Sequence, residues 1–185
     1  ICEGAVVGGK AQHSKAPPKQ GLLTIGDGNT IREHATLHRA LAEGHATTVG
    51  DNNLIMVGAH IAHDCAIGSH TIIANAVQLG GHVQMGDWAF LGGLSGVHQF
   101  VRIGAHAMTG FQTRLSQDLP PYVTASGNPA EAQGINQEGL KRRGFSEAQI
   151  RAIRNAYRVL YRSDLKLEDA MVRLGEMAAG EEVLR

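Results

Sequence analysis

Residues 55–90 read IMVGAH IAHDCA IGSHTI IANAVQ LGGHVQ MGDWAF, and each group of six opens on isoleucine, leucine or methionine. The same phase extends from Val49 to Leu115, where Thr109 alone places a polar residue first. The second position is mostly glycine or alanine, and the fifth is usually small or β-branched. Neither the period of a helix nor that of a strand produces this pattern. A six-residue repeat is instead typical of a parallel β-helix.

The hexads predict the layout of such a β-helix over residues 1–121. Each hexad should form one short strand and one corner, and three hexads should close one coil. The aliphatic residue would face the core, and the small second residue would let the chain turn. The phase also holds upstream, at Ile25 and Ile31. Two stretches break it and predict loops, at about residues 10–20 and 40–48.

The repeat stops at Pro120-Pro121, and a different organisation follows. We expect a linker over residues 122–135 and an α-helical domain over residues 136–185. Ser146 and Gln149 form a capping-box pattern that opens the longest helix. Another helix is expected from about Leu167 to Met177. These helices would cover the last coil and block edge-to-edge growth of the sheets.

Composition excludes several classes of protein. The formal net charge is +0 at pH 7, which argues against a general nucleic-acid or membrane-surface role. No apolar stretch is long enough for a transmembrane helix. The two cysteines, Cys2 and Cys65, form no disulfide framework, so a reducing cytoplasm fits. Because the chain starts in hexad phase without a cap, we expect that N-terminal coils of a longer protein are missing.

The repeat also predicts which side chains stack, because residues one coil apart lie on neighbouring parallel strands. The coil length places His63, Gly81 and Gln99 in one column, with a histidine beside the second and third of them. A polar cluster is therefore expected on one edge of the prism, with His60 at the preceding corner. Its members are His60, His63, His82, His98 and Gln99. A lone histidine on such a face is usually an ordinary surface residue, but five clustered polar groups favour a site.

The cluster has the elements of acyl-transfer or proton-transfer chemistry. A histidine beside Asp64 could be a general base. Backbone amides of Gly80-Gly81 could stabilise an oxyanion. Cys65 is expected to face the core, so no nucleophile is evident, and direct transfer to a substrate hydroxyl is the natural inference. A zinc site formed by His60, His63 and His82 is the rival interpretation.

Several motifs closely resemble those of the UDP-N-acetylglucosamine O-acyltransferase family, and the resemblance covers nearly the whole chain. The motifs are AHIAHDC at 59–65, LGGHV at 79–83, GVHQF at 96–100 and NQEGLKRRGF at 136–145. The resemblance implies a left-handed parallel β-helix that forms a homotrimer, with active sites between neighbouring subunits. It implies transfer of a 3-hydroxyacyl group from acyl carrier protein to the 3-hydroxyl of UDP-N-acetylglucosamine, the first step of lipid A synthesis. No metal or other cofactor is implied.

The resemblance also assigns roles to individual residues. His63 corresponds to the general base, Asp64 to its orienting partner, and the Gly81 amide to the group that holds the thioester oxyanion. Lys15 in the first loop corresponds to a phosphate-side lysine. Further substrate-contacting positions are matched by His60, His82, His98 and Gln99, and nucleotide- or phosphopantetheine-contacting positions by Asn136, Glu138, Arg142 and Arg143.

The chain departs from the family pattern at a few positions. His13 and Ala16 stand where the first loop usually carries an aspartate and an aromatic residue. Phe111 stands where a small residue is common, and Pro129 where a histidine is common. We expect Phe111, with Pro129 at the same end, to act as an acyl-chain ruler that favours shorter donors; alternatively, its ring points away from the groove.

Two other functions stay open at this stage. One is the related N-acyltransferase of the same pathway, against which the helical tail argues. The other is a non-catalytic or zinc-binding β-helix protein. A basic stripe on the longest helix could dock an acidic carrier protein or could be an ordinary solvated face. It consists of Arg151, Arg154, Arg158 and Arg162.

Overall fold

Each hexad forms a two-residue strand at its sixth and first positions, and the intervening residues turn the corner. In the computed structural model, which describes residues 1–184, these strands stack into three parallel sheets that face one another as a left-handed β-helix. Gln78 pairs with Gly96 and with His60, so one coil is 18 residues long, as predicted. The left-handed parallel β-helix with a helical tail is therefore confirmed.

The strands alternate between the three sheets in chain order. The first sheet contains β1 (Val6–Gly9), β4 (Thr36–His38), β7 (His60–Ile61), β10 (Gln78–Leu79), β13 (Gly96–Val97) and β16 (Arg114–Leu115). The second contains β2 (Leu22–Ile25), β5 (Ala46–Val49), β8 (Ala66–Ile67), β11 (Gln84–Met85) and β14 (Arg102–Ile103). The third contains β3 (Thr30–Ile31), β6 (Leu54–Ile55), β9 (Ile72–Ile73), β12 (Phe90–Leu91), β15 (Met108–Thr109), β17 (Val123–Ser126) and β18 (Glu131–Ile135).

The first-position side chains form the core between the sheets. Ile55, Ile61 and Ile73 are fully buried, and each contributes about 2–3 kcal/mol by leaving water. Thr109, the polar exception, is also fully buried, and its hydroxyl accepts a hydrogen bond from the Gly92 amide. The polar position is therefore tolerated because its oxygen is satisfied.

Glycine is common at the second position for a different reason from the one expected. The φ angles of Gly80 and Gly86 lie outside the left-handed region, so freedom to turn is not what they supply. A Cβ on Gly80 would lie 2.7 Å from the Gln99 nitrogen, and one on Gly86 would lie 2.6 Å from the Ala105 nitrogen. At these two glycines the next coil's backbone passes too close for a side chain, whereas Met56 and His98 occupy the second position of other hexads.

The turn is made at the fourth position of each hexad, which adopts left-handed backbone angles. Apart from Gly58, the hexads from Ile55 to Gln112 have non-glycine residues there, including Asp64, His82 and Phe100 with φ values of 60°, 62° and 67°. The fourth-position side chains stack along three edges of the prism. The first edge contains residues 62–65, 80–83 and 98–101; the second 68–71, 86–89 and 104–107; the third 74–77, 92–95 and 110–113.

Both loops leave the β-helix at the first edge. One connects β1 to β2 and the other connects β4 to β5. They lengthen their coils, so that Thr36 pairs with His60 and Val6 pairs with Thr36. The second loop is shorter than expected, because β5 already begins at Ala46. The inserted chain therefore accumulates beside the column that contains His63.

The stretch 122–135, expected as a linker, is mostly β-structure. Strand β17 continues the third sheet in parallel with β15, and β18 pairs back onto it in antiparallel fashion. The sheet edge at this end is thus extended and reversed, which ends the coil stacking. The sequence signal was hidden because the hexad phase is lost after Leu119.

Three α-helices and a final 3₁₀ turn follow the strands. They are α1 (Gln137–Arg142), α2 (Glu147–Tyr161), α3 (Leu167–Gly180) and the turn Glu182–Leu184. The predicted capping box is confirmed, with Ser146 and Gln149 bonding each other's backbone amides. Tyr157 of α2 packs against the β-helix core and donates to the Ala132 carbonyl. None of the helices that the structure describes could cross a membrane.

We predict that His106 makes the fold sensitive to acid. Burial, aided by the nearby Arg143 charge, lowers its pKa from 6.5 to about 4, although Asp87 opposes the shift. Between these two pH values, His106 therefore binds a proton in the unfolded chain but not in the folded chain. Stability contributed by neutral His106 is full above pH 6.5 and is lost as the pH falls toward 4.

The test compares urea unfolding of the wild type and His106→Asn at about pH 7 and about pH 5. Asparagine tolerates the left-handed backbone of this position. The decrease in the free energy of unfolding between these two pH values should be smaller in the variant by about 1 kcal/mol, after allowance for the partial exposure of His106. Equal losses in the two proteins would contradict the assignment. Histidines common to both cancel in this comparison.

Candidate active site

The first edge carries a histidine–aspartate pair at one corner. The Nδ1 of His63 lies 2.7 Å from Oδ2 of Asp64, and the His63 side chain is buried. The left-handed backbone at Asp64 turns its carboxylate back toward the preceding residue's ring. The corner geometry of the fold thus creates the pair from two adjacent residues.

The loop after β4 and strand β5 hold Asp64 in place. Its Oδ2 accepts the Leu41 amide at 3.0 Å, and its own amide donates to the Thr47 hydroxyl at 2.8 Å. Burial alone would raise the pKa of the Asp64 carboxyl. Hydrogen bonds from His63 and Leu41, with His82 nearby, outweigh that effect and bring the pKa below its usual 3.8.

The charge on Asp64 fixes the tautomer of His63. A carboxylate only accepts hydrogen bonds, so Nδ1 of His63 must carry the proton of the short bond. The lone pair then lies on Nε2, on the side of the ring away from Asp64. His63 is therefore oriented to take a proton from a ligand.

Gly81, one coil further along, lies against this free side of the ring. A Cβ on Gly81 would meet Cε1 of His63 at 2.8 Å and Nε2 at 2.9 Å. Within residues 1–184 the Gly81 amide has no hydrogen-bond acceptor. The absence of a side chain leaves both the lone pair of Nε2 and a backbone donor accessible at one point, which suits an oxyanion.

Two further histidines contact the His63 ring. The ring centroids of His63 and His82 are 5.3 Å apart, and Nε2 of His82 lies 3.8 Å from Asp64 Oδ2. His13, from the first loop, meets His63 edge-on at 5.7 Å. Phe100 stacks on His82 at 4.6 Å and supports it from the next coil.

His60 lies on strand β7 and not at a corner as expected. Its Nδ1 bonds the Thr36 hydroxyl at 2.8 Å, and its ring is 5.0 Å from that of His38. Burial, with repulsion from His38 and His63, lowers the pKa of His60 below 6.5. His60 is therefore a neutral group close to the His63–Asp64 pair.

The remaining first-edge residues are more exposed. His60 and His98 line one shallow groove of about 430 Å³ on the first sheet. His98 itself is exposed and bonds the Gln99 carbonyl through Nδ1 at 3.0 Å. Lys15 is exposed in the loop whose His13 touches His63. The predicted column is thus present, with Gln99 at its open end.

The structure brings together a different set of potential metal ligands from the three histidines considered above. His63, Asp64 and His82 each offer one ligand atom, and these atoms lie within 4.8 Å of one another. Asp64, however, already accepts the proton on Nδ1 of His63. A metal at this point would have to break the short hydrogen bond.

Two of the candidate residues of the tail, Asn136 and Arg143, contact the second edge, away from His63. Asn136 is buried and caps α1: its amide donates to the His106 carbonyl and its oxygen accepts from Gly139. Glu138 pairs with Lys141 at 3.5 Å, and Arg142 is exposed. Arg143 lies 5.3 Å over the ring of Trp88, a second-edge residue. Their contacts with a substrate stay predictions.

The two candidate ruler residues are exposed in the single chain. Phe111 is 66% exposed at the third edge, where its ring borders the space beside Gly93. Pro129 is exposed between β17 and β18. Pro129 lines a pocket of about 250 Å³ that Phe111 does not line, so the ruler stays a prediction.

Sequence reasoning missed three supports of the site. They are the Leu41 amide, the Thr47 hydroxyl and the His38 ring. All three belong to coils lengthened by a loop, in which a spacing of 18 no longer identifies stacked residues. The pairing of Thr36 with His60, 24 residues later, shows the shift.

Known protein families match this chain over most of its length. A family model described as UDP N-acetylglucosamine O-acyltransferase, domain 2, matches residues 118–185. The bacterial transferase hexapeptide model, described as six repeats, matches residues 46–81. An acyl-acyl-carrier-protein–UDP-N-acetylglucosamine O-acyltransferase of Burkholderia mallei is 54% identical over 175 residues, which cover 94% of this chain and 67% of that protein.

Solved structures of similar proteins superpose on the fold of this chain. UDP-N-acetylglucosamine acyltransferase of Francisella novicida superposes with a TM-score of 0.95 at 40% identity, over 98% of this chain and 67% of that one. The Arabidopsis UDP-N-acetylglucosamine acyltransferase superposes with a TM-score of 0.93 at 40% identity, over 99% and 66% respectively.

We predict that Gly81→Ala displaces the His63 ring without unfolding the protein. The new methyl group would overlap Nε2 and Cε1, whereas the backbone angles of Gly81 suit alanine. The His63 ring resonances in ¹H–¹³C NMR spectra should shift while the melting temperature changes little. Gly175→Ala is the matched control, because a Cβ there meets nothing within 4 Å. An unmoved His63 resonance in Gly81→Ala would contradict the contact.

Proposed function

Because this chain belongs to the UDP-N-acetylglucosamine O-acyltransferase family, we propose that it transfers a 3-hydroxyacyl group from acyl carrier protein to UDP-N-acetylglucosamine. The acceptor is the 3-hydroxyl of the glucosamine ring, and the reaction opens lipid A biosynthesis. The observation that carries the proposal is the His63–Asp64 pair, whose free Nε2 lies against the bare backbone of Gly81.

The geometry supports direct transfer by general-base catalysis. Nε2 of His63 takes the proton of the sugar hydroxyl as its oxygen attacks the thioester carbonyl carbon. The Gly81 amide stabilises the negative oxygen of the tetrahedral intermediate. When the intermediate collapses, the carbon–sulfur bond breaks and protonated His63 returns its proton to the departing thiolate. Asp64 stabilises the imidazolium throughout.

The reaction needs neither an enzyme nucleophile nor a metal in this proposal. Cys65 is fully buried, and burial raises the pKa of its thiol to about 12, so it cannot attack a thioester. A base and one amide donor are enough for the transfer, and the short His63–Asp64 bond would be lost on metal binding.

The helical tail favours the O-acyltransferase over the N-acyltransferase of the same pathway. Residues 118–185 match the second domain of the O-acyltransferase family itself. A purely structural β-helix is disfavoured because the buried His63 and Asp64 form a pair that no packing requirement demands. The same tail distinguishes this chain from general hexapeptide-repeat transferases.

We also propose that the enzyme is a cytoplasmic homotrimer with composite sites. His63 is on the first edge and Arg143 is against the second, with roughly 15 Å of extended chain between two corners. The acceptor hydroxyl and the diphosphate of the nucleotide sugar are attached to one six-membered ring, so they lie closer together than the two corners of one chain. If His63 contacts the hydroxyl and Arg143 a phosphate of the same molecule, the two residues come from different copies.

We predict that His63→Ala lowers kcat by about 10²–10⁴-fold with the fold intact. Product formation would be followed by mass spectrometry with acyl carrier protein thioester and UDP-N-acetylglucosamine. His45→Ala, which removes an exposed loop imidazole, should leave turnover unchanged. Near-normal turnover by folded His63→Ala would transfer the role of base to another group, of which His82 is the nearest.

The outer face of α2 supports docking of the carrier protein. Arg151, Arg158 and Arg162 are exposed, whereas Arg154 is partly buried and bonds Gln137. Ile150, Ile153 and Tyr157 occupy the opposite, buried side of the helix. The exposed guanidinium groups would attract a strongly acidic partner.

We predict that Arg151→Glu combined with Arg158→Glu raises KM for the carrier thioester severalfold at low salt, and less at high salt. KM for the nucleotide sugar should not change. Lys166→Glu, an exposed charge reversal at the start of α3, is the control. An unchanged KM for the thioester at low ionic strength would mean that the arginine stripe is only an ordinary solvated helix face.

A further inference from the structure

The second edge of the prism carries a column of stacked rings. His70 and Trp88 are nearly parallel with centroids 4.1 Å apart, and Trp88 and His106 are parallel at 6.4 Å. His106 and Tyr122 continue the stack at 5.6 Å. All four occupy the left-handed fourth position of a hexad or its equivalent after the last coil. The column therefore follows from the repeat, and its rings are held by the backbone.

Arg143, directly after α1, is inserted against this column. Its guanidinium carbon lies 5.3 Å from the Trp88 centroid, which is the geometry of a cation–π contact. Its NH2 group donates to the Trp88 carbonyl at 3.0 Å, and its NH1 group lies 3.4 Å from Nδ1 of His106. Three separate contacts fix the plane of the guanidinium.

The contact with His106 requires that its ring be neutral. Burial and the Arg143 charge lower the pKa of His106 to about 4, so Nδ1 can accept a hydrogen bond at neutral pH. A protonated ring would repel the guanidinium. The column thus combines an aromatic face, a backbone carbonyl and an imidazole acceptor around one cation.

The protein holds the Arg143 guanidinium in place but leaves some of its hydrogen-bond donors unused. It has five N–H donors, and the protein uses one on NH1 and one on NH2. No carboxylate pairs with Arg143 in the part of the chain that the structure describes. A charged, partly exposed fork with free donors and a fixed plane suits a phosphate, which takes two parallel hydrogen bonds.

We propose that Trp88 and His106 are positioning residues that hold Arg143 ready for a phosphate group of a substrate. This inference rests on the proposed function, which supplies two phosphate-bearing substrates: the nucleotide sugar and the phosphopantetheine arm of the carrier protein. Fixing the fork beforehand spares the entropy that a free arginine loses on binding. The contribution is therefore to affinity for one substrate and not to the chemical step.

The competing explanation is that the column only fastens the helical tail to the β-helix. Phe145 contacts both His106 and Tyr122, and the Tyr122 hydroxyl donates to the Val183 carbonyl. Loss of a fastening role would lower the melting temperature and the amount of active enzyme. It would leave the KM values of the remaining folded enzyme unchanged.

The test uses substitutions that the fold already tolerates at this position. Leu94 and Phe100 occupy the same left-handed position on the other two edges. Trp88→Leu removes the aromatic face, and Trp88→Phe retains one. Trp88→Leu should raise KM for one of the two substrates about tenfold, with kcat within about twofold of wild type. Trp88→Phe should restore most of the affinity.

A second measurement needs no turnover. Trp88 is the single tryptophan of the chain, so its fluorescence reports on the Arg143 contact directly. Titration of the wild type with UDP and, separately, with 4′-phosphopantetheine should change the emission in one of the two cases. Arg143→Lys, which keeps the charge but loses the fork, should weaken that response. The responding compound identifies the phosphate.

The outcomes separate the two proposals. A wild type that makes no product but gives the Arg143-dependent fluorescence response would refute the function and keep the phosphate site. A wild type that makes product, together with Trp88→Leu of unchanged KM for both substrates, would refute the positioning role. A fluorescence response that is identical in Arg143→Lys would also refute it.

Discussion

The structure depends on the close contact between successive coils at the second position of the hexads that carry glycine there. A single methyl group on Gly80 or Gly86 would approach the next coil's backbone to less than 3 Å. Aliphatic residues at the first position fill the prism while the second position lets the coils stack in register. Residues 18 apart consequently lie above one another. Every column of functional groups in the molecule follows from that registration.

The corners determine where chemistry can occur. At the third and fourth positions, the left-handed turn directs two consecutive side chains outward along an edge. On the first edge this geometry produces the His63–Asp64 pair and places a bare glycine one coil above it. On the second edge the same positions carry a ring column against which Arg143 is fixed. The proposed base and the proposed phosphate-binding group thus occupy different edges of one prism, and in the composite site that we propose they meet only where two copies of the chain are in contact.

Much of this arrangement could be predicted from the sequence, because the hexad phase converts sequence position into spatial position. The column of His63, Gly81 and Gln99 and the capping box at Ser146 followed from spacing alone. The support from Leu41 and Thr47 could not, since the two loops lengthen their coils by unequal numbers of residues. The hairpin at 123–135 was missed because its strands pair without the hexad signal. His60 was misplaced because the turn occupies the third and fourth positions, which leaves the sixth on a strand.

Subunit complementation tests the composite site most directly. His63→Ala and Arg143→Ala chains would be co-expressed with different tags and the mixed oligomers purified through both. If each site takes His63 from one copy and Arg143 from its neighbour, every mixed trimer contains one intact site, which is one third of the sites. Assayed at substrate concentrations well below the KM of Arg143→Ala, acyl transfer should reach about that fraction of wild-type activity, far above either variant alone. Mixed oligomers no more active than the better single variant would contradict it, because both residues would then act within one chain or not together at all.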